Sequence, residues 1–336
     1  MADMTGARFR VTLRPADLRY HVAHGEDLLT AATRAGIAVP AACRNGVCEL
    51  CEARLLCGQA RNTRNQQDIA PGSRLMLCRT VAQGPLELEI DAVMAAGQSK
   101  PNTMQVSVVD IEPISHDVYR VTLKLPRRRE LTFHAGQYLS LQVPDAEPSY
   151  FSIASSPSAS DIELHIQVSP DWGSSQRIID ALKASDTVTL TLPHGKACLA
   201  AVPERPLLLV AAGTGFAQMK SLVDYLRENN CQQPVRLYWG VRRHEDMYLR
   251  TLAQQWHEEW APLSFVPVVG DNEDNDWAGH HDQLVRSVLA SGADWQNVEV
   301  HASGSPAMVY TLLDALLDAG LPQDAFFSDV LEYAPR

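Results

Sequence analysis

Four cysteines set the tightest limit on what this chain can fold into. Cys43, Cys48 and Cys51 are spaced C-x4-C-x2-C in CRNGVCELC, and Cys78 follows after 26 intervening residues. Five of the seven cysteines in the 336-residue sequence fall between positions 43 and 78. A disulfide scaffold belongs to short secreted chains, whereas a cysteine cluster in a reducing compartment points to metal. The spacing is that of a plant-type [2Fe–2S] centre, in which four thiolates converge on two irons. A tight loop supplies three of them and a distant strand end the fourth. Gly46 lets the loop turn closely and aim amide N–H groups at the cluster sulfurs, which raises the reduction potential. Zinc is the alternative, but it usually takes paired C-x2-4-C knuckles, and here one knuckle is joined by two outlying cysteines. The expected metal ligands are therefore Cys43, Cys48, Cys51 and Cys78. Cys57, Cys198 and Cys231 lie outside the pattern and are expected to be buried free thiols.

An iron–sulfur loop needs only a small domain, and 336 residues predict two or three. With 46% hydrophobic and 21% charged residues the chain is globular rather than disordered. A net charge of −11 leaves no basic face for nucleic acid or an anionic membrane, so neither is an expected partner. Apolar runs such as 206–212 are far too short to span a bilayer, and the opening MADMTGARFR has no apolar signal core, which places the chain in the cytoplasm. The charge is uneven. Residues 1–95 hold 11 Arg, no Lys and 10 acidic residues, while the remainder is acidic by 12, as separate modules would be.

Hydrophobic rhythm divides the chain in the same way. In 1–95, FRVTLR and DLRYHV read as a β-hairpin, 26–35 as a helix and LELEID as a closing strand. Residues 96–103, rich in Gly, Ser, Pro and polar side chains, read as a linker. Residues 104–200 carry short alternating strands, VYRVTLKL, QYLSLQV, YFSIAS, IELHIQV and TVTLTL, which predict a small antiparallel barrel. From 201 to 336 strands alternate with helices, from PLLLVAA and FAQMKSLVDYLREN to NVEVHAS and PAMVYTLLDALLDAG, which predicts a doubly wound parallel sheet. The fold class is thus multi-domain, α+β and α/β. The acidic run at 271–276 and the arginines at 127–129 read as solvated loops, and His280–His281 has no third metal ligand in sequence.

On CRNGVCELC, HAGQYL, FSIASSP, IELHI, AAGTGFAQMKSL, YWGVRR and HASGSPAM, the chain resembles a fusion of a plant-type ferredoxin, with its β-grasp fold, to the ferredoxin–NADP reductase superfamily. The resemblance covers essentially the whole chain. Such fusions serve bacterial oxygenases and a deoxysugar dehydrase, and among them the chain resembles the CDP-6-deoxy-Δ3,4-glucoseen reductase type. The reductase half also resembles free-flavin reductases. The resemblance implies FAD, with FMN as the alternative, on the barrel. Ser149-Tyr150-Phe151-Ser152 stands where the superfamily usually has Arg-x-Tyr-Ser. It implies that Phe151 packs on the isoalloxazine and that Ser152 acts catalytically at flavin N5, where a hydroxyl can donate or accept. Ser149 replaces the arginine that normally pairs with flavin phosphate. Gly173, Ser174 and Ser175 resemble the second flavin motif, one residue short; amides at a helix start bind phosphate, and a simple turn with a serine N-cap is the plain alternative. The AGQY strand with His134, Gly136, Gln137 and Tyr138 is expected to serve the barrel rather than the chemistry.

Gly213, Thr214 and Gly215 follow a strand and precede a helix, the setting a dinucleotide loop requires. Gln218 stands where a third glycine, or the superfamily's usual proline, would be. Ser303-Gly304-Ser305-Pro306-Ala307-Met308 resembles the superfamily's Cys-Gly-x-x-x-Met beside the nicotinamide. Ser303 replaces the cysteine as a catalytic position, and Gly304 and Met308 keep the frame, although Met308 equally suits a helix core. Arg242 and Arg243 at a strand exit would suit a 2′-phosphate, but a solvated pair beside Glu245 and Asp246 fits as well. The resemblance implies NADH as the donor, with NADPH the alternative. The aromatics of FFSDVLEY cover either the flavin or a sheet edge. The expected activity is a reductase passing electrons from NADH through flavin and a [2Fe–2S] cluster to a protein acceptor such as a dehydrase or oxygenase component. A free-flavin reductase and a redox-sensing module are the alternatives.

Overall fold

The computed structural model describes residues 8–39, 41, 44–47, 49–90, 93, 101–126, 133–144, 146–168, 173–270 and 282–336. Two compact units emerge, Met1–Ser99 and Lys100–Arg336. The 271–276, 127–129 and 280–281 segments, and most of the expected linker, lie outside the described residues.

In the first unit, alternation drives strand formation. β1 (Arg8–Arg14) buries Val11 and Leu13, and β2 (Leu18–Ala23) buries Tyr20 and Val22, giving the predicted hairpin. Asp27 caps α1 (Leu28–Arg34) by accepting from Thr30 N–H, and the helix turns Leu28, Leu29, Ala31 and Ala32 onto the sheet. The chain continues through β3 (Glu52–Cys57), β4 (Ala60–Asn62), β5 (Asp68–Ile69), β6 (Arg74–Met76), β7 (Thr80–Ala82) and β8 (Leu86–Glu89). The main sheet has the order β2-β1-β8-β3-β6, with β1 and β8 parallel at its centre, the β-grasp arrangement. Cys57 corrects one expectation. It is exposed, because the register between β3 and β8 slips between Leu55 and Cys57 and turns the thiol outward.

The second unit opens with six antiparallel strands: β9 (Asn102–Pro113), β10 (Val118–Lys124), β11 (Tyr138–Gln142), β12 (Ser149–Ser152), β13 (Asp161–Gln167) and β14 (Thr187–His194). β9 starts at Asn102, whose partner is Leu192, so the last two residues of the expected linker already belong to the sheet. The order is β12-β11-β14-β9-β10-β13. The edges do not form a ladder; bonds just past β12, from Ala154 N–H to Glu163 O at 2.8 Å and from Glu163 N–H to Ser155 Oγ at 3.1 Å, draw them together. The sheet is a near-barrel around Leu139, Leu164 and Leu190, and α2 (Gly173–Lys183) covers the core with Ile178, Ile179 and Leu182.

The remainder alternates β15 (Leu207–Ala212), α3 (Phe216–Glu228), β16 (Val235–Val241), α4 (Arg250–Glu259), β17 (Leu263–Val269), α5 (Asp282–Leu289), β18 (Glu299–Ser303), α6 (Pro306–Asp318), β19 (Phe326–Phe327) and α7 (Val330–Tyr333). All five strands are parallel, in the order β17-β16-β15-β18-β19. Leu207, Leu209 and Ala211 face α3 and α4, whereas Leu208 and Val210 face α5 and α6, so β15 is apolar on both sides and the sheet is doubly wound. No helix among the described residues is long and apolar enough to cross a membrane.

Candidate functional site

Cys51 and Cys78 are buried and point at one another, with Sγ atoms 3.4 Å apart. That is far beyond a disulfide bond of about 2.05 Å. It is close to the roughly 3.8 Å that separates two thiolates each about 2.3 Å from one tetrahedral metal. Leu77 N–H donates to Cys51 O at 3.0 Å, which ties the loop to the turn bearing Cys78. Between the cysteines Arg44, Gly46 and Glu49 all have left-handed backbone, φ 49°, 82° and 59°. Left-handed backbone at three positions lets the short segment curl tightly beside Cys51. A side chain at Gly46 would also press on Arg79, its Cβ 3.0 Å from Arg79 Cγ. The residues present thus fit the [2Fe–2S] group; Cys43 and Cys48 lie outside the described residues.

On the near-barrel, Ser152 pairs with Tyr138, and Phe151 with Leu139. Phe151 is half-buried against the barrel core, while Tyr150 is 63% exposed. Tyr150 meets Tyr138 edge-on at 6.0 Å, and His194 stacks on Tyr138 at 5.4 Å with its Nε2 buried and unpartnered among the described residues. Tyr138 therefore belongs to an aromatic face beside Ser152, a role its place in the AGQY strand did not suggest. α2 begins at Gly173, where an added Cβ would meet nothing within 4 Å, so phosphate has a free approach to the backbone of its first turn.

The nucleotide cleft lies where strand order reverses, between β15 and β18, the position at which open α/β sheets bind ligands. Gly213 has φ 54° and open space where a Cβ would stand. A Cβ on Gly215 would overlap the Ser303 carbonyl, and one on Gly304 would lie 2.5 Å from Met308 Cε. Both turns must be glycine for the loops to meet, and the fold thus brings Gly213, Thr214, Gly215, Ser303 and Gly304 together. Met308 is fully buried and wedges Gly304 from behind. Trp239 Nε1 donates to Gly213 O at 2.9 Å and its ring stacks on Phe216 at 3.8 Å, which fixes the loop from below. Arg243 is occupied by Glu245 at 2.7 Å and Asp246 at 3.2 Å, the solvated-pair arrangement. Phe326 extends the sheet beside β18 and Phe327 stacks on His301, so these two aromatics serve the sheet edge.

Sequence reasoning missed the seam between near-barrel and nucleotide sheet. Lys220 Nζ lies 3.1 Å from Asp224 Oδ2 and 3.2 Å from Glu163 Oε2. Burial pushes Glu163 up, but the hydrogen bond from His165 and the Lys220 charge prevail and hold it at about 2. Burial lowers His165, so it is neutral; Nε2 donates to Glu163 at 2.8 Å and Nδ1 accepts from Tyr248 at 3.0 Å. Burial raises Asp224 in spite of Lys220. Deeper in, Gln218 meets Asp329, which burial, with the Glu332 charge adding to it, pushes up to about 7.

Comparison with known proteins agrees with this division. A 2Fe-2S iron-sulfur cluster binding domain matches residues 11–83, an oxidoreductase FAD-binding domain 105–198 and an oxidoreductase NAD-binding domain 209–313. Reductase component 2 of terephthalate 1,2-dioxygenase from Comamonas sp is 29% identical, over 97% of this chain and 98% of its own. The CDP-6-deoxy-L-threo-D-glycero-4-hexulose-3-dehydrase reductase of Yersinia pestis is 29% identical, over 95% and 97%. An NAD(P)H-flavin reductase of Vibrio harveyi is 30% identical, over 60% of this chain and 86% of its own. The structure of a cytochrome P450 reductase from Amycolatopsis shares the fold, with a TM-score of 0.60 at 23% identity over 96% of this chain and 98% of its own. With cluster thiols, flavin strand and nucleotide loops in this order along one sequence, the chain belongs to the NAD(P)H-dependent iron–sulfur flavoprotein reductases, in which a [2Fe–2S] ferredoxin domain is fused to an FAD- and NAD-binding reductase of the ferredoxin–NADP reductase superfamily.

Proposed function

We propose that this reductase draws on NADH and delivers electrons to a separate dehydrase component that acts on a CDP-linked deoxyhexulose. The full-length likeness to the Yersinia pestis dehydrase reductase supports this acceptor. The observation that carries the redox reading is the meeting of the Gly213–Gly215 loop with the Ser303–Gly304 turn at the switch point, in the unit that also holds the flavin strand. When bound, flavin would supply acceptance of one hydride, with its two electrons, from reduced nicotinamide and release of those electrons singly to a [2Fe–2S] cluster. The chain supplies position. Gly213, Thr214 and Gly215 receive the pyrophosphate on the backbone, and Ser303 orients the nicotinamide, with Gly304 and Met308 shaping its turn. Phe151 packs the flavin ring, Ser152 offers its hydroxyl at N5, and the amides of Gly173, Ser174 and Ser175 hold flavin phosphate. Cys43, Cys48, Cys51 and Cys78 hold the cluster. The domains run 1–95, 102–200 and 201–336, the linker being shortened to 96–101 by the start of β9 at Asn102. Outside the cluster set, Cys57, Cys198 and Cys231 are free thiols, in keeping with a reducing cytoplasm.

Anaerobic purification, metal and sulfide analysis, and titration with NADH and then NADPH test the proposal. Iron and sulfide in equal amounts, a bound flavin bleached first by NADH, and a cluster signal that follows are expected. Zinc, or no sulfide, would overturn it. A second reading, service to a ring-hydroxylating oxygenase, is favoured by the Comamonas relative. Turnover with a CDP-deoxyhexulose dehydrase against turnover with a terephthalate oxygenase component separates the two.

A further inference from the structure

Gln218 is the third residue of α3, three positions after Gly215, where the nucleotide loop ends. The residue is only 3% exposed, and its side chain reaches across into the near-barrel. Nε2 lies 2.6 Å from Gly136 O, 3.2 Å from Ala197 O and 2.9 Å from Asp329 Oδ2. Gly136 stands two residues before Tyr138, the ladder partner of Ser152. Ala197 leaves β14, and Asp329 lies on the C-terminal segment. A second buried amide tightens the knot: Gln137 accepts from His134 N–H at 2.7 Å and donates to Gly195 O at 2.9 Å. There is no slack. A Cβ on Gly136 would lie 2.7 Å from Ala197 O, and one on Gly195 would lie 2.5 Å from Asp329 Oδ1 and 2.8 Å from the Tyr138 ring.

We propose that Gln218 is a positioning residue for hydride transfer, its carboxamide bracing the helix behind the nucleotide loop against the strand pair that carries Ser152, and so setting the approach of nicotinamide to flavin. This rests on the proposed placement of flavin at Ser152 and nucleotide at Gly213–Gly215. Other links across the seam lie further along α3: Lys220 to Glu163 at 3.2 Å, Ser221 Oγ to Ser155 O at 2.8 Å, and Ser156 and Ser158 to Glu228 at 2.8 Å and 2.6 Å. They hold the two layers together without Gln218. The brace is nearest the cleft, where a misplacement of about 1 Å costs about 100-fold in rate.

The test uses the full chain loaded with flavin and cluster. Gln218→Met keeps the volume without a donor, and Gln218→Glu sets an anion against two carbonyls and Asp329. Anaerobic stopped-flow reduction by NADH should show the limiting rate of flavin bleaching falling about 10- to 100-fold in both, while flavin content and NADH dissociation constant stay within about twofold. Hydrogen exchange in the flavin-free chain should quicken at Ala197 N–H, which donates to Asp329 Oδ1 at 3.3 Å, and not along Ser155–Ser158. A limiting rate equal to wild type, a change in NADH affinity alone, or rate lost only in step with flavin overturns the brace. Wild-type protein that NADH cannot reduce overturns the functional reading and the brace's catalytic role with it. Wild-type reduction matched by both variants overturns the brace alone.

Discussion

Lys220→Met removes the cation from a partly buried carboxylate pair, and its effect can be worked out from the structure. The Lys220 side chain is 12% exposed, between Asp224 and Glu163, and its Nζ also reaches Ala154 O at 3.4 Å. Glu163 titrates at about 2 rather than 4.5, a difference worth about 3 kcal/mol that Lys220 shares with His165. Breaking a buried ion pair from one side costs about 3–5 kcal/mol, and because Glu163 and Asp224 keep 19% and 24% of their side chains exposed, the low end applies here. A loss of about 3 kcal/mol lowers the melting midpoint of a unit this size by about 6–12 °C. The signs with pH differ between partners. Glu163, held low, contributes stability that is present above its unfolded value and lost only as pH falls toward about 2, so it is constant through the neutral range. Lys220, raised, contributes fully below its unfolded value and loses this only at alkaline pH. Asp224, raised by burial, climbs further without its cation and takes up a proton as pH falls. The penalty should therefore be largest in the neutral range and shrink as pH falls into the acid range. Thermal melts followed by tryptophan fluorescence across that range provide the assay, and Lys220→Met with Asp224→Asn should recover more than half the loss. A midpoint within about 2 °C of wild type, or a penalty independent of pH, would refute the reasoning.

Cys51→Ser and Cys78→Ser each remove one of the two facing thiols; reduction of cytochrome c should drop to background while NADH still bleaches the flavin, measured by anaerobic stopped flow. Ser149→Arg restores a charge for flavin phosphate and should tighten flavin binding by about 10- to 100-fold, since hydrogen bonds to charged groups contribute about 1.5–3 kcal/mol; fluorescence titration of the flavin-free chain checks it. Gly215→Ala drives a methyl group into the Ser303 carbonyl and should cost about 1–3 kcal/mol, with NADH affinity lost before flavin affinity, as equilibrium titrations of each would show.

The fold was legible wherever local rhythm and local chemistry coincide. β15 reads as a run of apolar residues because both of its faces are covered, and the β1–β2 hairpin reads by alternation because one face is buried. α5 and β19 were not found. α5 is short, and β19 spans two residues that become a strand only because β18 offers an open edge. Cys57 was misplaced because a slip in the pairing with β8, invisible in the strand's own composition, decides its side. The seam was illegible for a related reason. Lys220 and Glu163 are 57 residues apart and Gln218 and Asp329 are 111 apart, so no periodicity in either segment announces the pairing. Glycines were legible because they mark close approach: Gly215 and Gly304 sit where a Cβ has no room.

Three positions depart from the residue usual in the superfamily, and the structure treats them differently. Ser303 stands for cysteine, yet what Gly215 packs on is the Ser303 backbone carbonyl, which any residue supplies. The loop contact therefore survives the exchange, and only the side chain's effect on the nicotinamide can differ. Gln218 stands for proline early in α3, where a helix tolerates either because the first N–H groups have no partner within it. Proline would hold the helix start by its fixed φ; glutamine adds bonds to Gly136, Ala197 and Asp329, and so transfers that rigidity to the barrel and the C-terminal segment. Nothing in the structure explains Ser149, which offers a hydroxyl in place of a guanidinium. With backbone contacts preserved at the cleft and the brace added beside it, the loss falls on flavin phosphate alone. The departures should then weaken cofactor retention without disturbing the geometry of transfer, and a flavin that dissociates readily yet is reduced at full rate when resupplied in excess is the behaviour this combination requires.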